Sequence, residues 1–405
     1  MGRARGLRIL AVAGIVPLII AGCSGSGGSS AGGEITVGAV IPLSGGTASV
    51  GQNIRRGYEL AQQEINQAGG IDGKNLNFEF ADHTGDPATG ARAARTLVQQ
   101  KKVVALTGSY ESGVTLVVAQ TAEQLKTPYL VPYSSATSIT ESGFKYTFRT
   151  RPALPEWAKT MSQFLVWQGD NGGKQISKVG LLDDGTEYGQ SAKTAYTNAA
   201  KAADLQVVGA QALEQGQTNL STQLAQLRSA GAQAIYASTY LQSSMGAIRS
   251  MDSLGYHVPY MTVGSGIVDP TFFDLGRLAE GVTSSTSWSP SLENNASKAF
   301  ATAYEKKYNS VPTDDAAYAY SAAYVLKEAI QNAGKDVTPE KVAASLRSDK
   351  FTSPQANIIP SGGTIKFDEH GQAHPSILMA QAQGGQWKTV FPADLASAKY
   401  EPIGR

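Results

Sequence analysis

Cysteine is almost missing from this sequence: Cys23 is the only one in 405 residues. One cysteine cannot close an intrachain disulfide, so the fold must be stabilised by its hydrophobic core, which a chain of this length can provide. No apolar run approaches the roughly 20 residues that a membrane-spanning helix needs. Gly-x-Ser-x-Gly elbows and dinucleotide fingerprints are also lacking, and residues 169–174 have neither the spacing nor the hydroxyl residue of a phosphate loop. These absences argue against an enzyme, and we expect no cofactor.

The sequence also has no large excess of positive or negative charge. The chain has 34 basic and 33 acidic residues. If residues 1–22 are removed, as proposed below, three of the 34 arginines and lysines go with them, leaving 31 basic residues against the same 33 acidic ones. A slightly acidic chain is a poor partner for nucleic acid.

The N-terminus is typical of a signal peptide. Arg3, Arg5 and Arg8 precede a short, mostly apolar run over 9–20, which small residues follow. The tetrapeptide at 20–23, Ile-Ala-Gly-Cys, resembles the bacterial lipobox, which implies cleavage before Cys23 and lipidation of that residue. Residues 1–22 would be the signal peptide, and the Gly, Ser and Ala residues of 24–33 would be a flexible tether. We expect an exported protein anchored by lipid to the outer face of the cytoplasmic membrane; an ordinary secretory signal is the alternative.

The remaining chain alternates strand and helix patterns. A mostly apolar stretch at 35–41 predicts a strand, and apolar residues at helical spacing over 54–68 predict the helix after it. Asp86 and Pro87 are typical of an N-cap and a first helical residue. The alternation predicts an α/β protein with parallel sheets, divided into two lobes.

An internal repeat at an offset of 131 residues supports the division into lobes. The strand pattern at 103–107 corresponds to 234–238, Ser112 corresponds to Ser243, and the proline-led strand at 128–130 corresponds to 259–261. Two copies indicate a duplicated lobe and not a solenoid.

Hydroxyl-rich loops follow the predicted strands of both lobes. In open parallel sheets, ligands bind beyond the carboxyl ends of the strands, where loops and helix N-termini meet. Ser112 precedes a predicted helix and is placed to share a carboxylate with the N–H groups of the first turn. A plain N-cap serine is the alternative interpretation.

The chain after the tether resembles the type I periplasmic binding proteins of the leucine/isoleucine/valine-binding family, the substrate receptors of ABC importers. The resemblance rests on motifs that occur in the family's order over nearly the full length: 38–45 (GAVIPLSG), 57–71, Asp82, 108–112, 132–135 and 188–189.

The resemblance implies a ligand site between the lobes. It places carboxylate contacts at Ser112, Ser135 and the backbone around Tyr133, next to Ser134, and it places contacts from the other lobe at Tyr188 and Tyr240. Val50 stands where the family often has an aromatic residue. The acidic residue that neutralises an amino-acid ligand's ammonium falls on Gly264 here, which departs from the family pattern. Either Asp184 or Glu111 substitutes for it, or the ligand is not an ordinary α-amino acid.

The resemblance further implies two Rossmann-like lobes joined by a three-strand hinge that closes on the ligand. We expect residues 34–152 and 284–375 in the N-terminal lobe, and 153–283 and 376–405 in the C-terminal lobe. The partners would be a small carboxylate, an amino acid or a related compound, and an ABC permease, with the protein a monomer. A sensor subunit that docks on a membrane receptor would use the same cleft. His370 and His374 lie four residues apart, but Gly371 and Pro375 favour a turn over a metal-binding helix, so we expect no metal.

Overall fold

A computed structural model describes residues 33–263 and 267–402. The predictions that concern the signal peptide, Cys23 and Gly264, and the tether apart from its last residue, therefore lie outside the described residues.

The first lobe is built on a parallel sheet of five strands in the order β2-β1-β3-β4-β5. Its strands are β1 (Glu34–Ile41), β2 (Asn75–Asp82), β3 (Ala105–Gly108), β4 (Tyr129–Val131) and β5 (Thr147–Arg149). The helices that alternate with them are α1 (Ala48–Gln67), α2 (Pro87–Gln99), α3 (Ser112–Gln124) and the short α4 (Ser138–Glu141).

The second lobe repeats this arrangement with a parallel sheet of four strands in the order β7-β6-β8-β9. Helix α5 (Leu154–Asp170) leads into it. Its strands are β6 (Lys178–Asp183), β7 (Gln206–Ala212), β8 (Ala234–Ser238) and β9 (Tyr260–Thr262). Its remaining helices are α6 (Glu187–Ala202), α7 (Ser221–Ser229) and α8 (Leu241–Ser253), and a 3₁₀ segment spans Pro270–Leu278.

The last part of the chain contributes to both lobes. Strand β10 (Thr283–Thr286) pairs with β11 (Leu378–Gln383), which pairs with β12 (Gln386–Phe391) in a separate antiparallel sheet. Between them lie α9 (Asn295–Tyr308), α10 (Asp314–Asn332) and α11 (Pro339–Ser348), and a short 3₁₀ turn at Ala356–Ile358. The predicted α/β class, with parallel sheets in two lobes, is confirmed.

The duplication is visible in the topology. The order β2-β1-β3-β4 matches β7-β6-β8-β9, and β4 and β9 begin 131 residues apart, at Tyr129 and Tyr260. The two tyrosines also have equivalent contacts: Tyr129 Oη accepts a hydrogen bond from Ser109 N (2.6 Å), and Tyr260 Oη lies 2.7 Å from Thr239 Oγ1. Each contact ties a strand end to the neighbouring strand's loop, so both lobes fix that loop in the same way.

The helix starts follow local chemistry. Asp86 is the N-cap of α2 and accepts from Thr89 N at 2.7 Å, with Pro87 as first helical residue, as predicted. Helix α1 is packed closely on α10, because Gly57 has no side chain: a Cβ there would lie 2.3 Å from Ala316 O. This close crossing holds α10 against the first sheet.

A buried arginine joins the end of β5 to the segment around Gln372. Arg149, at the end of β5, is fully buried and donates from Nε to Gln372 Oε1 (2.5 Å), from Nη1 to Ala136 O (2.6 Å) and from Nη2 to Thr140 Oγ1 (3.0 Å). Gln372 Nε2 in turn donates to Arg151 O at 2.8 Å. The segment after β5 and the segment around Gln372 are thereby fixed to each other.

In the part of the chain that the structure describes, no helix combines the length and apolar character needed to cross a membrane.

Candidate functional site

The two lobes enclose a cavity where the carboxyl ends of their parallel strands face each other. The lining side chains leave about 30 Å³ of free space between them in this arrangement, which is room for one or two water molecules. Six of the predicted site residues line it: Ser112, Tyr133, Ser134, Ser135, Tyr188 and Tyr240. The other lining residues are Tyr110, Arg151, Thr239 and Val263.

The N-terminus of α3 opens into this cavity. Ser112 is the first helical residue and Glu111 is the N-cap, and no side chain caps this end of the helix. The interpretation of Ser112 as an N-cap is therefore wrong. The N–H groups of the first turn have no partner within a helix, so Ser112 and the backbone beside it present donors to an anion.

The two serines after β4 have different surroundings. Ser134 Oγ lies 2.5 Å from Thr115 Oγ1 and donates to Tyr110 O at 2.9 Å, which ties it to its own lobe. Ser135 Oγ instead accepts from Arg151 Nε at 3.0 Å and keeps its own proton available. Of these two hydroxyls, that of Ser135 is the one that remains free to donate to a bound ligand.

Tyrosine rings bring the lobes into contact across the cavity. The ring centroids of Tyr110 in the first lobe and Tyr240 in the second are 5.5 Å apart, and within the second lobe those of Tyr188 and Tyr240 are 5.9 Å apart, distances typical of attractive aromatic pairs. Further along, Ser138 Oγ donates to Glu187 Oε1 at 2.6 Å, which joins α4 to α6. These contacts describe a closed arrangement of the lobes.

Two predicted site residues lie in a neighbouring depression. Val50 and Glu111 line it, and Tyr110 and Tyr240 line both this depression and the inner cavity. The two rings therefore separate the spaces. In this arrangement, the position of Val50 does not set the room available in the inner cavity.

Neither candidate partner for a ligand's ammonium belongs to the inner lining. Glu111 accepts from Thr47 Oγ1 at 2.6 Å, and Asp184 Oδ1 accepts from Thr186 Oγ1 at 2.6 Å. Burial raises the pKa of both carboxyls, because a low-dielectric site disfavours the charged form. Each carboxylate is held within its own lobe.

His83 is buried behind Glu111 and gives a stability prediction. Its Nδ1 accepts from Gly85 N, and its Nε2 lies 3.5 Å from Glu111 Oε2. Burial lowers the pKa of His83 to about 4, against the opposing charge of Asp82. The unfolded chain, whose histidine titrates near 6.5, binds this proton at higher pH than the folded protein does, so stability falls as the pH drops from 6.5 to 4.

We therefore expect His83→Asn to reduce the acid-induced loss of unfolding free energy by about 3 kcal/mol between pH 7 and pH 4. Urea denaturation at both pH values measures it. The raised pKa of Glu111 has the opposite effect, because it increases the unfolding free energy as the pH falls, but Glu111 is present in both proteins. Exposed His257→Asn is the control, and equal pH slopes for wild type and His83→Asn would contradict the prediction.

Of the four described lining residues that were not predicted, Arg151 is the charged one. It lies between β5 and α5, beside the predicted boundary between the lobes at 152–153. A charged residue in a segment that crosses between lobes is the signal that could have identified it.

Metal binding gains no support from the histidines. A turn ends at residues 370–371 and no helix forms over 370–374, as predicted. His374 contacts two carboxylates, Glu156 at 2.6 Å and Asp368 at 3.1 Å. Within 33–263 and 267–402 no group of three or more acidic, histidine or cysteine side chains is arranged to hold a metal ion.

The fold and the enclosed cavity define a two-lobed binding protein. A family model described as periplasmic binding protein matches residues 34–386. Leu/Ile/Val-binding protein homolog 8 of Brucella melitensis biotype 1 is 28% identical over 379 residues, which cover 90% of this chain and 92% of that protein. The chain belongs to the periplasmic binding protein family, and the predicted resemblance to its Leu/Ile/Val-binding members is confirmed.

Solved structures share the fold. The leucine-binding protein LivK of Thermotoga maritima MSB8 superimposes with a TM-score of 0.78 at 24% identity, over 89% of this chain and 100% of that one. A solute-binding protein of an ABC transporter from R. palustris, solved in complex with benzoate, also superimposes with a TM-score of 0.78. The identity is 21%, and the alignment covers 91% of this chain and 98% of that one.

Proposed function

We propose that this protein is a lipid-anchored, extracytoplasmic solute-binding protein of an ABC importer, which captures a small carboxylate by closing two lobes on it. The observation that carries the proposal is the cavity at the strand ends, lined from both lobes by hydroxyls, tyrosines and an uncapped helix N-terminus. Such a site binds an anion and releases it unchanged. No catalytic role is proposed for any of its residues.

The closed arrangement supports capture by hinge motion. A ligand that contacts both lobes binds the closed form better than the open one and shifts the population toward it. We place the lobe boundaries as the sequence predicts them, with the chain crossing near 150–155, 282–286 and 375. The isolated bridges Arg149–Gln372 and Val263–Ser285 lie beside these crossings.

The names of similar proteins widen the set of ligands worth testing. One similar structure is a leucine-binding protein and another holds benzoate. The decisive experiment is a melting-shift screen of the mature domain against amino acids, keto and hydroxy acids and aromatic acids. A ligand at 100 times its dissociation constant stabilises a fold by about 2.7 kcal/mol. A flat response over the whole panel would overturn the proposal.

The anchor gives a separate prediction. Replacement of Cys23 by Ser removes the thiol that a diacylglycerol would modify, so the protein is expected to move from the membrane fraction to the soluble fraction of the exporting cell. Fractionation and immunoblotting measure it, with Ser26→Ala in the tether as the matched control. Membrane association that survives Cys23→Ser would refute lipid anchoring and leave ligand capture untouched.

A further inference from the structure

A charged side chain forms part of the cavity wall. Arg151 is 1% exposed and lines the cavity, and its Nε donates to Ser135 Oγ at 3.0 Å. Its Nη1 has no hydrogen-bond partner in the described part of the chain. A buried donor without an acceptor is costly, and more so on a charged group. The guanidinium therefore has an unused N–H at the site where a ligand would bind.

The surroundings keep this guanidinium charged and in place. It lies over the rings of Trp157 and Tyr318, at 5.1 and 4.9 Å from their centroids, which favours a cation. Burial opposes the charge, but Tyr318 and the carboxylates of Asp314 and Asp315 together raise the pKa of Arg151. The two aspartates belong to α10 and are not among the cavity-lining residues. They offset the buried charge when no ligand is present.

The described lining residues offer no negative charge to a ligand's ammonium. No aspartate or glutamate is among the described residues that line the cavity, and the loop at 264–266 that follows Val263 is Gly-Ser-Gly in sequence. Removing an ammonium from water without a carboxylate partner costs several kcal/mol. The carboxylate of an α-amino acid would therefore pair with the Arg151 guanidinium, but its ammonium group would have no carboxylate partner.

The remaining lining suits a flat apolar body. Tyr240 contacts the rings of both Tyr110 and Tyr188 in the lining, and aromatic pairs gain about 0.5–1.5 kcal/mol beyond area burial. An aromatic ring is rigid, so it loses little conformational entropy when it is enclosed.

We infer that the ligand is an aromatic monocarboxylate without an ammonium group, whose carboxylate accepts hydrogen bonds from Arg151, Ser112 and Ser135 while its ring packs against Tyr188 and Tyr240. The inference rests on the proposed function and names the ligand class of that site. Arg151 thereby selects an anion over a neutral analogue, and the lack of an acidic side chain in the described lining disfavours a zwitterion.

Isothermal titration of the mature protein with five probes tests it: benzoate, 4-hydroxybenzoate, benzamide, leucine and phenylalanine. Benzamide has the shape of benzoate without the charge. Hydrogen bonds to charged groups contribute about 1.5–3 kcal/mol, so benzoate is expected to bind about ten- to a hundredfold more tightly than benzamide. Leucine and phenylalanine are expected to bind at least about tenfold more weakly than the tighter of the two aromatic acids.

Variants then assign the effect to Arg151. Arg151→Gln should weaken benzoate binding about ten- to a hundredfold and should leave benzamide binding nearly unchanged, whereas Arg151→Lys, which keeps the charge, should retain part of the preference for the anion. Exposed Arg277→Gln is the matched control. The comparison of benzoate with benzamide on the wild-type protein needs no variant, so a folding defect in Arg151→Gln leaves the inference testable.

The outcomes separate this inference from the proposed function. If leucine or phenylalanine binds more tightly than both aromatic acids, the ligand class is wrong and capture of a solute stands. Equal binding of benzoate and benzamide, or benzoate binding that Arg151→Gln leaves unchanged, would overturn the role of the charge. If none of the five probes binds while the wider melting screen finds a ligand, this inference alone falls; if the wider screen is also flat, both fall.

Discussion

The double replacement Ser112→Ala with Ser135→Ala is expected to weaken binding of a carboxylate ligand about a hundredfold or more. Each hydroxyl can donate a charge-assisted hydrogen bond in a closed cavity, and bonds of that kind contribute about 1.5–3 kcal/mol each. Titration with the compound that stabilises the wild-type protein most in the melting screen measures the loss. Both residues are only 3% exposed in this closed form, but they line a space and are not packed in a core.

The empty double variant should remain folded. Ser135 Oγ is an acceptor for Arg151 Nε, so the loss of one buried hydrogen bond is expected to lower the free energy of unfolding by about 1 kcal/mol. Ser243→Ala is a matched control, because Ser243 is the repeat equivalent of Ser112, is equally buried and lines the neighbouring depression. Normal affinity in the double variant would show that the ligand's carboxylate lies elsewhere.

Arg149→Met is expected to have the largest effect on stability, about 3 kcal/mol of unfolding free energy. The substitution removes four donated hydrogen bonds, one of them a long one of 3.5 Å to Ser134 O, and leaves Gln372 Oε1, Ala136 O and Thr140 Oγ1 without their donor. Unsatisfied buried acceptors cost about 1–3 kcal/mol each, and the lost burial of a charge offsets part of that sum. Urea denaturation followed by circular dichroism measures the change.

The control for this variant is Arg277→Met, since the Arg277 side chain is 81% exposed and a surface change of this kind stays within about 0.5 kcal/mol. If the free energy of unfolding of Arg149→Met is within 1 kcal/mol of the wild-type value, Arg149 does not stabilise the junction of β5 with Gln372. A lowered ligand affinity with unchanged stability would instead indicate that Arg149 acts on the orientation of the Ser134–Ala136 loop.

The lobe architecture was predictable because it depends on local patterns. Alternating strand and helix signals specify an α/β chain, and the 131-residue offset specifies that the strand order occurs twice. The N-cap of α2 at Asp86 followed from two adjacent residues. By contrast, Ser112 was assigned to the wrong side of a helix boundary, because the capping preferences of Glu111 and Ser112 do not determine which of them adopts the extended backbone before α3.

The composition of the cavity depends on contacts between residues far apart in the chain. Arg151 meets Ser135 across 16 residues and Tyr318 across a much longer separation, and no periodicity or motif encodes such a pairing. Likewise, Glu111 is directed to Thr47 and His83, and the Tyr110–Tyr240 ring pair separates it from the inner cavity. The neighbouring residues in the sequence therefore do not predict the contacts of Arg151 or those of Glu111.

The sequence by itself determined the class of fold, its duplication and the family, because these follow from spacing and from the order of motifs. Only the tertiary structure decided which polar groups face the enclosed space, since burial and hydrogen bonding are set by packing between the two lobes. Six hydroxyl and tyrosine residues expected at the site line the cavity, Glu111 and Asp184 are held elsewhere, and an arginine that the motifs did not indicate supplies its positive charge.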